Sequence, residues 1–273
     1  MKVTTTGLFH KMIDKNSKIV ISGVNGSVGK LLFNKLEKED FLVEKLDLND
    51  LNNKDIFIHL AAKTSNTQEI LDSNISYLKE CIEYCKKTNI KNFIFFSTMS
   101  VYGNINQEDV NEQTSFSNTP NIYGLSKLLG EELLKESGLN VLILRLPAIL
   151  TKNTTNTFIY KLYEKLSNNE DITITNYNKT FTNIIDINSI YDFIFTYDFK
   201  SKNETFVLGI KKEKTLKEVV EFLKKELNSK SNIVLNDNIS NFYNIDNSKA
   251  IKYGFKQRDI KEVLKEWINL LRA

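Results

Sequence analysis

Apolar and polar positions fall into blocks through the first half of the chain, and the blocks switch between two periods. "KIVIS" (18–22) is a short β-branched run that ends at glycines and predicts a strand. "GKLLFNKLEKE" (29–39) then repeats apolar residues at helical spacing, with Leu31, Leu32 and Leu36 as the recurring positions. "FLVEKLD" (41–47) and "DIFIHLAA" (55–62) read as a second and a third strand. From Asn74 to Asn89 a helix brings Ile75, Leu78, Ile82 and Cys85 to one face. "NFIFFST" (92–98) is almost continuously apolar, as a strand covered on both faces of a parallel sheet requires. A helix from about Tyr123 to Glu136 and a strand "NVLILRL" (140–146), stopped by Pro147, complete this half. Such alternation predicts an α/β fold with a doubly wound parallel sheet.

The second half is less regular. "TFIYKLYEKLSNN" (157–169) and "SIYDFIFTYDF" (189–199) read as helices, "DITIT" (171–175) and "ETFVLGI" (204–210) as strands. "TLKEVVEFLKKEL" (215–227) is an amphipathic helix with Thr215 as its N-cap, and "DIKEVLKEWINLL" (259–271) is a last one. No repeat or low-complexity linker interrupts the 273 residues, so the boundary near residue 150 is a change of role within one body. The expected division is a dinucleotide-binding domain over 1–150, its first 17 residues an extension, and a mainly substrate-binding region over 151–273, from which 181–210 returns to the core.

Composition narrows the class. The chain is 41% hydrophobic and 26% charged, and 37 basic residues nearly balance 34 acidic ones along its whole length. Without a like-charged block, neither a nucleic-acid nor a membrane partner is expected. No apolar run reaches the length of a bilayer, and "MKVTTTGLFHKMIDKNSK" (1–18) lacks the apolar core of a signal peptide, so the cytoplasm is the expected compartment. The two cysteines, Cys81 and Cys85, suit the inner side of their helix, and no metal site is expected.

Candidate chemistry gathers at the strand ends. "SGVNGSVGK" (22–30) sets Gly23, Gly26 and Gly29 between the first strand and the first helix, where a tight turn lets backbone approach a pyrophosphate. The alternative is an ordinary strand-to-helix turn. Asp47 closes the second strand where a carboxylate can accept from ribose hydroxyls; it is equally a loop aspartate of "DLNDLNN". Ala61 and Ala62 leave room at the end of the third strand, although packing alone explains small residues there. His59 reads as a core histidine. "FFSTMSVYG" (95–103) adds hydroxyls at the end of the next strand. Tyr123 and Lys127, four residues apart in "NIYGLSK" (121–127), share one helical face, either as a solvated pair or as a phenol with a cation at hand. A free phenol loses its proton near pH ~10. A neighbouring ammonium favours the phenolate and lowers that value.

Taken in order, these motifs resemble the extended short-chain dehydrogenase/reductases, of the epimerase/dehydratase branch that works on nucleotide-activated sugars. The likeness runs from Lys18 nearly to the C-terminus. "GVNGSVG" resembles the glycine turn, "HLAA" the third-strand ending, Asn74 the asparagine opening the next helix, and "STMSVYG" the catalytic strand end. "NIYGLSK" resembles the Tyr-x-x-x-Lys pair and "LRLPAI" (144–149) the segment beside the nicotinamide. "FTNIIDINSIYDFI" (181–194) resembles the returning stretch, with Asn188 and Ser189 where paired aspartates are usual, and 246–267 the closing segment. The resemblance implies a Rossmann-type sheet with a small C-terminal α/β substrate-binding region, a cytoplasmic homodimer, and polysaccharide biosynthesis as the setting. It implies a catalytic set of Thr98, Tyr123 and Lys127, in which Thr98 orients the reacting oxygen and Tyr123 exchanges its proton. It implies cofactor contacts from Gly23, Asn25, Gly26, Ser27, Val28, Gly29, Asp47, Leu48, Leu60, Ala61, Ala62, Lys63, Tyr123, Lys127, Pro147, Ala148 and Ile149. Substrate contacts are implied for Thr98, Met99, Ser100, Tyr123 and Asn153.

The cofactor expected is NAD or NADP, and repulsion between Asp47 and a 2′-phosphate favours NAD. If Asp47 and Leu48 instead cup the adenine, Lys45 or Lys30 is free to accept that phosphate. Dehydratases of this resemblance carry Asp-Glu after the catalytic threonine, and Met99 and Ser100 stand there instead. The remaining readings are a 4-ketoreductase, favoured by the trimmed substrate side ("ILTKN", 149–153), a 4-epimerase, and a non-catalytic NAD(P)-binding regulator.

Overall fold

A computed structural model describes residues 13–64, 68–116, 120–198, 202–238 and 240–273. The first half runs β1 (Lys18–Ser22), α1 (Ser27–Lys38), β2 (Leu42–Lys45), β3 (Ile56–His59), α2 (Gln68–Lys87), β4 (Asn92–Thr98), a 3-10 turn (Met99–Tyr102), β5 (Gln107–Val110), α3 (Ile122–Lys135) and β6 (Asn140–Leu146). The second half runs β7 (Ala148–Leu150), α4 (Phe158–Ser167), β8 (Ile172–Ile174), β9 (Ile184–Asp186), α5 (Ile187–Thr196), β10 (Asn203–Val207), α6 (Leu216–Glu226), β11 (Ile233–Leu235), β12 (Tyr243–Ile245), α7 (Ser248–Lys252) and α8 (Ile260–Arg272).

Six strands form one parallel sheet in the order β10-β6-β4-β3-β1-β2, so the α/β doubly wound architecture is the observed one. The chain leaves β1 outward to β2 and then crosses back to β3. That reversal opens a crevice beyond the carboxyl ends of β1 and β3, where open α/β sheets hold their ligands. Helices α1 and α5 pack together, as do α2 and α3. One apolar cluster joins α1 and α5 to Ile19, Ile21, Ile58 and Ile94 of the sheet. A second joins α2 and α3 to Val20, Phe57, Phe93 and Phe95, whose side chains alternate with the first set along the same strands. A third, around Leu162, Val220, Leu264 and Trp267, binds α4, α6 and α8 into the C-terminal region. Thr215 caps α6 through a full capping box with Glu218, which pins that helix start.

Three differences from the sequence expectations have plain causes. Helix α2 begins at Gln68, ahead of Asn74, because Ile70 continues its buried face. Asn74 therefore lies inside the helix, and its side chain binds both backbone polar groups of Lys63, accepting at 2.8 Å and donating at 3.1 Å, and donates to Ser126 Oγ at 3.1 Å. At α5 the cap is Asp186, which accepts from the amides of Asn188 and Ser189, so the missing aspartates at those two positions leave the turn intact. Outside the main sheet β5 pairs with β12, β7 with β9 and β8 with β11, and apart from β8 these runs of three or four residues carry no periodicity to detect. Of the N-terminal "LFHKMI" (8–13), Ile13 is buried against the first cluster, and the remainder lies outside the described residues.

Candidate active site

The cofactor side is built on a backbone contact. Gly23 holds φ +79, and a Cβ there would stand 2.5 Å from the Ala61 amide nitrogen. Only glycine combines that left-handed conformation with so close an approach. A Cβ on Gly29 would meet the Gly23 carbonyl at 2.1 Å. The N-cap of α1 is Gly26, which offers no side-chain cap, so the first-turn amides face outward without a side-chain acceptor. Beneath this turn Ser22 and His59 share a hydrogen bond of 2.9 Å between the ends of β1 and β3. Burial and the charge of Lys127 hold His59 well below the ordinary imidazole value, so it is a neutral core residue.

Next along the rim stand the hydroxyls and the tyrosine. Thr98 caps the 3-10 turn, accepting from Ser100 N at 3.2 Å. Helix α3 starts at Asn121, whose side chain accepts from Gly124 N at 2.7 Å. Gly124 lets α3 lie directly on that turn, since a Cβ there would sit 2.3 Å from the Ser100 carbonyl oxygen. Tyr123 is thereby carried to the end of β4. Lys127, one turn on, donates to the Phe96 carbonyl at 2.8 Å and lies 4.5 Å over the Phe95 ring.

A cavity of about 410 Å³ is lined by the glycine turn, Leu60, Ala62, Thr98, Tyr123, Lys127 and the Pro147–Ile149 segment. A larger one of about 610 Å³ lies beside it, lined by Ser100, Phe158, Phe181, Asn176, Lys179 and Tyr243 among others. Ala148 and Thr157 line both, so the two meet next to the Thr98–Tyr123–Lys127 group. No carboxylate lines either cavity among the described residues; the charged side chains there are Lys127 and Lys179.

Residues 48–201 match the family model of the NAD-dependent epimerase/dehydratase family. The chain belongs to this family. The fold is similar to three solved structures. They are the UDP-N-acetylglucosamine 4-epimerase of Bacillus cereus (21% identity, TM-score 0.76, 94% of this chain and 100% of that one), the UDP-glucuronic acid 4-epimerase of Bacillus cereus with NAD (19%, 0.75, 93% and 98%), and RMD of Pseudomonas aeruginosa with NADPH (18%, 0.74, 94% and 100%). The family description makes a nicotinamide dinucleotide the cofactor class. The residues present fit one: the two close-approach glycines allow the tight turn, and that turn, with the side-chain-uncapped start of α1, lines the smaller cavity through Gly23, Gly26, Ser27, Val28 and Gly29.

Within this epimerase/dehydratase frame the electrostatics differ from the expectation drawn from spacing. Burial pushes the Tyr123 phenol up to about 12 and the Lys127 ammonium down to about 7. The lysine was expected to lower the phenol. Desolvation opposes both charged forms and outweighs their attraction here, and the amine is engaged by Phe96. The phenol keeps its proton at neutral pH.

Of the expected cofactor residues, Gly23, Gly26, Ser27, Val28, Gly29, Leu60, Ala62, Tyr123, Lys127, Pro147, Ala148 and Ile149 line the smaller cavity. Ala61 supports Gly23, Asn25 is exposed, and Lys63 gives its amide to Asn74. Asp47 is exposed and accepts from the Asn49 amide at 2.9 Å; Leu48 is exposed and lines a separate surface pocket with Tyr84 of α2. The structure does not bring those last two into the cavity. Of the substrate set, Ser100 lines the larger cavity, Met99 is buried in the core, and Asn153 is exposed beyond β7. Sequence reasoning missed Thr157 and nearly all of the larger cavity, because its walls come from four short segments far apart in the chain.

Proposed function

We propose that this chain interconverts an alcohol and a ketone on the sugar of a nucleotide-activated sugar, with Thr98, Tyr123 and Lys127 as its catalytic set. The observation that carries the reading is the position of a protonated phenol at the junction of a glycine-lined cavity and a larger one with no carboxylate among its described lining residues. Lys179 and the absence of any acid among its described lining residues make that second cavity suited to an anion such as a nucleoside diphosphate. Phe158, Phe181, Phe242 and Tyr243 offer flat apolar surface for a base. A bound nicotinamide supplies or accepts the hydride. Thr98 donates a hydrogen bond to the substrate oxygen, and Tyr123 gives it a proton when a carbonyl is reduced or takes one when a carbinol is oxidised. Lys127 contributes positive charge beside the dinucleotide.

Elimination of water needs a further acid–base pair. With Met99 buried and no carboxylate in either cavity among the described residues, dehydration has no support. A 4-ketoreductase is our first reading, from the trimmed "ILTKN" segment; a 4-epimerase is the second, favoured by the likeness to two 4-epimerases. Incubation with UDP-glucose, UDP-N-acetylglucosamine and their 4-keto derivatives separates them. A reductase oxidises one NAD(P)H per ketone consumed, whereas an epimerase forms the C4 epimer with no net change in cofactor. No turnover with bound NADH means a non-catalytic binder.

Lys179 is the cationic wall of the larger cavity and is paired on the surface with Glu108 at 2.7 Å. Lys179→Gln is expected to raise KM about tenfold, the scale of one charge-assisted contact to a phosphate, with little change in kcat. An unchanged KM removes Lys179 from substrate binding. For the cofactor we retain NAD(H) as the preferred form. Asp47→Asn should weaken NADH binding and strengthen NADPH binding; equal losses mean that Asp47 holds adenine instead.

A further inference from the structure

Helix α3 carries a third ionisable residue in register with Tyr123 and Lys127. Glu131 lies one turn beyond Lys127 on the same buried face, with 0% exposure. Arg145 of β6, 4% exposed, clamps it: Nε reaches the two carboxylate oxygens at 3.1 and 3.2 Å, and Nη2 reaches Oε2 at 2.7 Å. Ser97 donates to Oε1 from the strand that ends in Thr98. Arg145 is itself held by Tyr102, to whose hydroxyl it donates at 2.8 Å, and by the faces of Tyr102 and Phe116 at 4.9 and 5.4 Å. The Tyr102 hydroxyl passes its proton donation on to the Asn111 carbonyl at 2.6 Å. A buried ion pair seldom stabilises a fold more than apolar side chains of the same volume would. What apolar residues cannot supply is a fixed negative charge one helical turn from a buried lysine.

We propose that Glu131, clamped by Arg145 and Ser97, is a positioning residue that keeps Lys127 an ammonium at the floor of the cofactor cavity. Lys127 forms no ion pair of its own among the described residues; its polar contact is the Phe96 carbonyl. The titratable groups coupled to it are Glu131 on α3 and His59 on β3, with Tyr123 one helical turn away and Arg145 of β6 paired to Glu131. His59 is neutral and burial raises the Tyr123 phenol, so Glu131 is the anion of the set. Burial drives the ammonium down to about 7, and the carboxylate opposes that fall. At neutral pH the lysine is thus poised where the loss of one neighbouring charge changes its state. The inference rests on the cofactor assignment only for its consequence; the electrostatic coupling is measurable without cofactor.

The test is the titration of Lys127 itself, followed by NMR in protein labelled at lysine Cε, with the signal assigned by its loss in Lys127→Met. Glu131→Gln should move the midpoint to lower pH by about one unit or more, and Arg145→Gln should move it to higher pH, because the two remove opposite charges. NADH affinity at pH 7, read by fluorescence, should fall roughly fivefold in Glu131→Gln for a one-unit shift and recover as the pH is lowered. A structural role alone would weaken the fold in both variants and leave the midpoint unmoved, or move it the same way in both; either result overturns the proposal. If one variant fails to fold, the sign of the shift in the other carries the test: a lower midpoint in Glu131→Gln, or a higher one in Arg145→Gln, supports the proposal, and an unmoved or oppositely moved midpoint overturns it. Wild-type protein that shows the coupling yet binds no NADH would refute the cofactor assignment and leave the coupling standing.

Discussion

Replacing Tyr123 by phenylalanine is expected to lower turnover by about 10²-fold or more while fold and NADH binding persist. The ring lies at the start of α3, and among the described residues its hydroxyl makes no structural hydrogen bond, so phenylalanine fills the same space. What is lost is the proton donor at the junction of the two cavities. Because burial holds the phenol up at about 12, it is protonated across the neutral range and ready for the reductive direction. Its own ionisation would therefore not appear as a limb of the rate profile between pH 6 and 9. The limb expected there belongs to Lys127: with its value near 7, the ammonium is lost as pH rises through that point, and cofactor affinity should fall with it. Thermal melts and NADH fluorescence titrations of Tyr123→Phe, set beside turnover on the nucleotide sugars named above, decide the matter. Near-normal turnover sinks the assignment of Tyr123.

Lys127→Met should pull activity and stability in opposite directions. Cofactor binding and turnover are expected to drop together, because the variant removes the ammonium that lines the smaller cavity. Stability should rise. In the folded protein the lysine's value is depressed to about 7, whereas in the unfolded chain it returns to the ordinary lysine range. Below pH 7 the wild type must keep a charge buried, and the variant is relieved of that cost in full. As pH climbs from 7 towards the ordinary lysine value, the folded lysine is already neutral and the relief shrinks. The gain in Tm should thus be largest near pH 6 and smaller near pH 9, on a scale of roughly 2–4 °C for each kcal/mol recovered. Differential scanning calorimetry at the two pH values measures it. A melt lower than wild type at pH 6 would mean that the Phe96 contact contributes more than desolvation costs, and that Lys127 serves the fold.

The readable part of the site lay where function constrains backbone or helical spacing. Gly23 and Gly29 were legible because their absent side chains permit a contact no other residue survives, and the strand and helix on either side were unambiguous. Tyr123 and Lys127 were legible from a four-residue interval that places them on one face of a helix. Asn74 was found as a residue of interest, but its setting was not, since nothing in its neighbours says that its amide reaches back to Lys63 and across to Ser126. Glu131 in "GEELL" was not singled out, and only the approach of Arg145 from another element makes its burial tolerable.

By itself the sequence determined much of the local order: the strands of the main sheet and the longer helices, the side of each that is apolar, the cap at Thr215, and the glycine-bearing turn from the first strand to the first helix. These follow from periodicity, propensity and backbone sterics, which act over a few residues. The tertiary structure decided what depends on burial and on distant neighbours. It set Met99 into the core and Ser100 into the cavity, one residue apart. It built the larger cavity from 157–159, 173–183, Leu216 and 240–243. It also reversed the expected electrostatics of the tyrosine–lysine pair, because the cost of desolvating a charge is fixed by everything packed around it and is invisible in a four-residue spacing.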